Sequence, residues 1–149
     1  ATIHEGKSWV DDNGITHPSN WQIWSADDKA AAGVTEVVLD APPDARLYTW
    51  TYNAEGKITT TPIALATVKA NFTTSIKSQQ ESLLYKTDWA VVRRAEKTTA
   101  IPSNIATWRD AIRAKATAME DAIDGAANTA AVQVLIDNGS LTDWPVLGD

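Results

Sequence analysis

Two hydrophobic periods run along the chain and divide it near residue 60. Before that point, β-branched and aromatic residues come in short runs broken by turn formers, the pattern of short strands joined by tight turns. Residues 3–10 read as a strand that ends at Asp11-Asp12-Asn13-Gly14, where Asn-Gly suits a type I′ hairpin turn, and Ile15-Thr16-His17 returns. His17-Pro18-Ser19-Asn20 is another turn, followed by an apolar cluster of Trp21, Ile23 and Trp24. Ser25 is placed to cap a brief helix over 26–32, with Asp27 and Asp28 in its first turn and Gly33 as its stop. Residues 35–39 read as a buried strand interrupted by Pro42-Pro43. Residues 46–52 alternate, with Leu47, Thr49 and Thr51 on one face and Tyr48, Trp50 and Tyr52 on the other. Asn53-Ala54-Glu55-Gly56 closes a hairpin with 57–61.

The period changes at Thr61-Pro62, an N-cap residue followed by proline at the first helical position. Leu65, Val68, Phe72, Ile76, Gln79 and Leu83 then recur every three or four residues, which predicts an amphipathic helix of about six turns. Thr87 is placed to cap a shorter helix carrying Trp89, Val92 and Arg93. Ile101-Pro102-Ser103 breaks that helix and caps another, whose stripe is Ile105, Trp108, Ile112, Met119 and Ile123, with Gly125 at its end. Residues 129–138 form a last short helix stopped by Gly139, and a tail containing Trp144-Pro145 follows. Two long stripes joined by a helical elbow pack as an antiparallel hairpin. Their alternative use, with seams facing partner chains, leaves a homo-oligomer open. The expected fold is therefore α+β, with a small antiparallel β-rich N-terminal region (1–60) followed by a C-terminal helical hairpin with short helices and a tail (61–149).

Composition narrows the chemistry. An apolar share of 44% with 21% charged residues fits a packed globular chain. A net charge of −6 and a pI near 4.8 argue against nucleic acid, which demands clustered Lys and Arg; the basic pair Arg93-Arg94 stands beside Glu96. No apolar run approaches the roughly 20 residues of a membrane span, and no charged start with a hydrophobic core marks an export signal. Without cysteine there is no disulfide, thiolate nucleophile or sulfur-ligated metal. The two histidines, His4 and His17, do not make a metal-ligand spacing, and Asp11-Asp12-Asn13-Gly14 lacks the periodic oxygen ligands of a calcium loop. Asp27-Asp28 and Glu120-Asp121 have structural roles at a helix start and on a solvated face. No phosphate loop or nucleophile elbow occurs. No catalytic residue, metal or cofactor is expected, and the chain reads as a non-enzyme.

Tryptophan is the compositional anomaly: seven, against one Phe and three Tyr. Indole pairs a large apolar area with one N–H donor, which suits cores, interfaces and sugar-stacking surfaces. Trp21, Trp24 and Trp50 lie near turns and could form a glycan platform. Trp89 and Trp108 fall within helical stripes and read first as core. Trp144, beside a proline near the C-terminus, reads as an exposed anchor for another protein.

The order of certain residues also carries a resemblance. Leu83-Leu84-Tyr85-Lys86-Thr87-Asp88-Trp89, then Arg93-Arg94, Ile101-Pro102 and Trp108-Arg109-Asp110-Ala111-Ile112-Arg113, resembles the C-terminal region of bacteriophage tail assembly chaperone and tail fibre assembly proteins. His17-Pro18-Ser19-Asn20-Trp21 and the stretch from Asp27 through Ala32-Gly33-Val34-Thr35-Glu36-Val37 look like the N-terminal part of related phage tail proteins. Together these segments touch about a third of the chain. The residues have folding roles of their own: Thr87 caps, Asp88 favours a helix start, Trp89 fills the elbow, and Arg109 and Arg113, four apart, line one helical face within reach of acids on the neighbouring helix. The resemblance implies a tail fibre or baseplate component acting through protein contacts, found in the virion tail and, during assembly, in the host cytoplasm. Trp144, Trp89, Trp108, Arg109 and Arg113 are then the candidate partner-binding residues. A transient assembly chaperone absent from the virion and a host-glycan-binding module are the alternatives.

Overall fold

The computed structural model describes residues 3–4, 6–35 and 37–148. In chain order these form β1 (Trp9–Val10), β2 (Thr16–His17), a single 3₁₀ turn (Trp21–Ile23), α1 (Ala26–Ala31), β3 (Tyr48–Tyr52), β4 (Ile58–Pro62), α2 (Leu65–Tyr85), α3 (Asp88–Lys97), α4 (Ser103–Gly125) and α5 (Thr129–Asp137). The fold is α+β, with two two-stranded antiparallel sheets ahead of four helices. The chain divides into two compact units: Ala1–Asp40 with Tyr52–Lys57, and Ala41–Thr51 with Ile58–Asp149.

In the first unit, both turns use one device. Asp11 Oδ1 accepts the N–H groups of Asn13 and Ile15, each at 2.9 Å, while Gly14 N–H donates to Asp11 O and Asp11 N–H to Ile15 O. Asn53 Oδ1 does the same for Glu55 and Lys57, at 3.1 and 2.8 Å. Gly14 and Gly56 close the loops in the left-handed region, at φ 79° and 74°. Each loop therefore has three residues and ends on a left-handed glycine. This corrects the type I′ turn expected at Asn13-Gly14, because a side-chain carboxylate satisfying two backbone donors favours the longer loop. The resulting register sets Trp9 opposite His17 and Val10 opposite Thr16.

The expected strand over 3–10 shortens to two residues among those described, since Gly6 adopts φ 71° and Lys7 N–H turns back to His4 O. Its Glu5 lies outside the described residues. Ser25 caps α1 as expected, accepting Asp28 N–H at 3.1 Å. Gly33 follows in the left-handed region, with Gly33 N–H on Ala30 O and Val34 N–H on Lys29 O closing the helix.

Residues 35–39, apart from Glu36, which is outside the described set, form no strand, and Val38 is 77% exposed. The segment meets the second turn through Asp40 N–H on Gly56 O and the Lys57–Asp40 ion pair at 3.0 Å. Pro42 and Pro43 then lack the N–H with which a ladder would continue.

In the second unit, the expected N-cap at Thr61-Pro62 is also corrected. Ile63 N–H donates to Leu47 O at 2.8 Å, so the sheet runs on through Pro62 and α2 starts at Leu65 with no side-chain cap on Ala64. α2 and α4 run antiparallel, since Lys69 reaches Asp124 O, Lys77 pairs with Glu120 and Arg109 reaches Leu84 O. Their stripes enclose Val68, Phe72, Ile76, Ala116, Met119 and Ile123, joined by Leu47 from the sheet and Val132 from α5. Burying each large aliphatic side chain contributes roughly 1.5–3 kcal/mol. Asn128 caps α5 through Ala131 N–H, and Thr129 Oγ donates to Ile63 O, tying α5 to the end of the sheet.

The glycines provide a direct check. A Cβ on Gly14 meets nothing within 4 Å, whereas one on Gly56 would stand 2.6 Å from Val37 Cγ1 and 2.7 Å from Val38 O. Gly14→Ala is expected to cost only the left-handed penalty of roughly 1–2 kcal/mol, and Gly56→Ala clearly more. Thermal unfolding of the two variants tests this, and equal destabilisation would contradict the packing of residues 37–38 on the turn.

Candidate functional site

The segment that carries the resemblance is built around Arg109. This α4 side chain is buried, and its Nη1 donates to Leu84 O (2.9 Å), Thr87 Oγ1 (2.8 Å) and Asp88 Oδ1 (2.9 Å). Leu84 O lies at the carbonyl end of α2 and Asp88 at the first turn of α3, so one cation meets the negative end of one helix and an acid at the start of the next. The expectation that Arg109 reaches an acid on a neighbouring helix is met at Asp88. Arg113 instead pairs with Asp110 of its own helix at 3.1 Å and stays exposed. Thr87 stands at the N-cap position of α3 but makes no side-chain cap bond; its hydroxyl donates to Leu84 O, which leaves its oxygen to accept from Arg109.

Trp89 does not fill the elbow. It is 51% exposed, with the Arg93 guanidinium 5.2 Å from its ring centroid. In α3 the buried residue is Ala90, and residues 91–100 are all exposed. At 100° per residue, Val92 and Ala95 lie about 160° and 140° around the helix from Ala90. The apolar stripe of Val91, Val92 and Ala95 thus points away from the body, flanked by Arg94 and Glu96, with Trp89 beyond.

Trp108 and Trp144 are used within the chain. Trp108 is buried in the core and its indole N–H donates to Pro145 O at 2.9 Å. Trp144, expected as an exposed anchor, packs half-buried against the core and donates to Gln79 Oε1 at 3.0 Å, beside Ser82 and Leu83. The physical reason is the indole donor, which finds a side-chain acceptor on α2 as the tail returns over the helical hairpin.

The three-tryptophan platform is not gathered in either unit. Trp50 belongs to the helical unit, while Trp21 in the first unit donates its N–H to Lys7 O at 3.2 Å. Trp24 has other neighbours: His17 stands edge-on at 5.6 Å and itself stacks on Trp9 at 4.3 Å. His17 Nε2 lies 3.2 Å from Asp11 Oδ2. The Ile15 N–H above all, with His17 and the Asn13 N–H, holds the Asp11 carboxyl below its ordinary range. Trp9 was not singled out in the sequence; its pairing with His17 follows from a loop length that Asn-Gly alone does not reveal. His4 is exposed. Among the described residues, no three His, Asp or Glu side chains converge as metal ligands, and no helix is long and apolar enough to cross a membrane.

No protein-family model matches the chain, and neither does a curated protein or a solved structure.

Two outcomes follow from this geometry. Arg109→Ala removes three hydrogen bonds made by a buried guanidinium and leaves a void where it packed, and is expected to cost about 2–4 kcal/mol, whereas Asp88→Ala, at a half-exposed partner, costs about 1 kcal/mol or less. Urea unfolding separates them, and equal losses would make the ion pair rather than the carbonyl and hydroxyl the important partners. Asp11, with its pKa lowered on folding, stabilises the first hairpin above the ordinary carboxylate range and loses that contribution as pH falls through the depressed value. Trp fluorescence should therefore change in acid below about pH 4, and Asp11→Asn should remove that step.

Proposed function

We propose that the protein is a bacteriophage tail component of the fibre or baseplate region that works by docking another tail protein on α3, without catalysis. The observation that carries the reading is the orientation of α3: its apolar stripe of Val91, Val92 and Ala95 faces outward while Ala90 faces the body. The resemblance supports the biological setting, because Thr87-Asp88-Trp89 and Arg93-Arg94 lie at the start of and within this helix, and Arg109 holds its first turn. Arg94 and Glu96 flank the stripe, while Arg93 and Lys97 lie toward the Ala90 side of the helix, so the fitting partner surface is apolar with edges of both signs. Trp89 is the anchor residue beside the stripe, Arg109 acts by positioning the helix, and Trp108 holds the tail.

The test is incorporation. Mass spectrometry of purified particles should find the chain in fixed stoichiometry with the fibre or baseplate subunits. The double variant Val91→Glu/Val92→Glu should keep the wild-type melting temperature and lose incorporation at least tenfold. Absence of the wild-type chain from particles would overturn retention in favour of a transient chaperone, and normal incorporation of the double variant would overturn α3 as the docking face.

A further inference from the structure

The first unit holds a shallow cleft of ≈ 390 Å³ lined by His17, Trp24, Asp28, Ala31 and Ala32. Its walls are held by interactions already described. The three-residue loop sets the register that stacks His17 on Trp9, Asp11 holds the imidazole at Nε2, and His17 meets Trp24 edge-on.

The polar side chains in its lining are Asp28 and His17. Asp28 Oδ2 receives the Ser25 hydroxyl at 2.6 Å, while Oδ1 has no protein partner among the described residues. The Asp11 carboxylate stands at His17 Nε2, so Nδ1 is the ring nitrogen left to meet a hydroxyl. Ala31 and Ala32 are short and leave room for a ring to approach the indole. Among the described residues no Lys or Arg lines the cleft, so none of them compensates a carboxylate, sulfate or phosphate there.

An aromatic wall, the Asp28 carboxylate and His17 imidazole in the lining, and no Lys or Arg among its described residues match a molecule with one apolar face and several hydroxyls. We propose that this cleft binds a neutral pyranose unit of a polysaccharide, with the C–H face of the ring against Trp24 and hydroxyls meeting Asp28 Oδ1 and His17 Nδ1. This site lies in a different unit from α3 and does not depend on the docking reading. It differs from a platform of Trp21, Trp24 and Trp50, since it replaces two of those residues with His17 and Asp28.

The probes are neutral hexose oligosaccharides from glucan, mannan and galactan, with oligogalacturonate as the anionic comparison, titrated against the full chain by Trp fluorescence and ligand-observed NMR. At least one neutral series should bind with a Kd at or below the millimolar range, and oligogalacturonate at least tenfold more weakly. Asp28→Ala should weaken binding about tenfold, the loss of one hydrogen bond of about 1.4 kcal/mol. Trp24→Ala should abolish it, with Trp24→Phe restoring part and Trp50→Phe leaving it unchanged. Circular dichroism and the melting curve of each variant keep a folding defect apart from a binding defect. No response from any neutral series at about 10 mM, a preference for the uronate, or wild-type binding by a folded Trp24→Ala would each overturn the assignment.

Discussion

Arg109 reaches three helices' worth of structure from one buried nitrogen: it stands on α4, donates to the Leu84 carbonyl near the end of α2, and holds Thr87 and Asp88 at the start of α3. Left to its own amphipathicity, α3 would turn Val91, Val92 and Ala95 inward, since burying a valine contributes roughly 1.5–3 kcal/mol. The guanidinium opposes this. Hydrogen bonds to a charged group contribute about 1.5–3 kcal/mol each, and a buried guanidinium deprived of its acceptors costs several more. Once Asp88 and Thr87 are held, the rotation of α3 about its axis is set, Ala90 is the residue that meets the body, and the apolar stripe is left in water. A partner covering that stripe recovers the free energy the elbow leaves unrealised.

The tail obeys the same accounting of donors. An indole N–H that leaves water is stabilised by an acceptor, and two of them here find one on opposite sides of one connection: Trp144 on Gln79 of α2, and Trp108 of α4 on Pro145 O of the tail. The tail is thereby fastened to both long helices. Lys115 approaching Asp143 at 4.0 Å adds a weak, solvent-screened attraction. The surface over Gln79 and Leu83 is thus covered by the chain itself, while the stripe on α3 stays uncovered.

What could be read from the sequence depended on the range of the interaction. The stripes from Val68 to Ile76 and from Ile105 to Ile123 are local periodicities reinforced by burial, and they place the helices and most of the core. Both hairpins were marked by their glycines, but their loop length was set by the Asp11 and Asn53 side chains, and a one-residue change of register exchanges the faces of every strand residue. The Trp9–His17–Trp24 cluster was hidden for that reason, although an Asx three residues before the glycine was an available signal. Trp89 and Trp144 exchanged their expected positions. The outward turn of Trp89 follows from Arg109, twenty residues further on, and the inward turn of Trp144 from Gln79, sixty-five residues back; neither contact leaves a local pattern.

Charge narrows what can cover α3. The helix bears Arg93, Arg94 and Lys97 against Glu96 and an Asp88 already engaged by Arg109, on a chain whose net charge is −6. Pairing the α3 stripe with that of a second copy would make a contact of a few small side chains, well under the roughly 1,200 Å² of a specific interface. A larger apolar surface on a different chain, with an acid facing Arg94 and a base facing Glu96, avoids that limit. It would also divide the work: the edge charges would speed encounter and weaken with salt, while the apolar stripe would hold the complex and respond little to ionic strength.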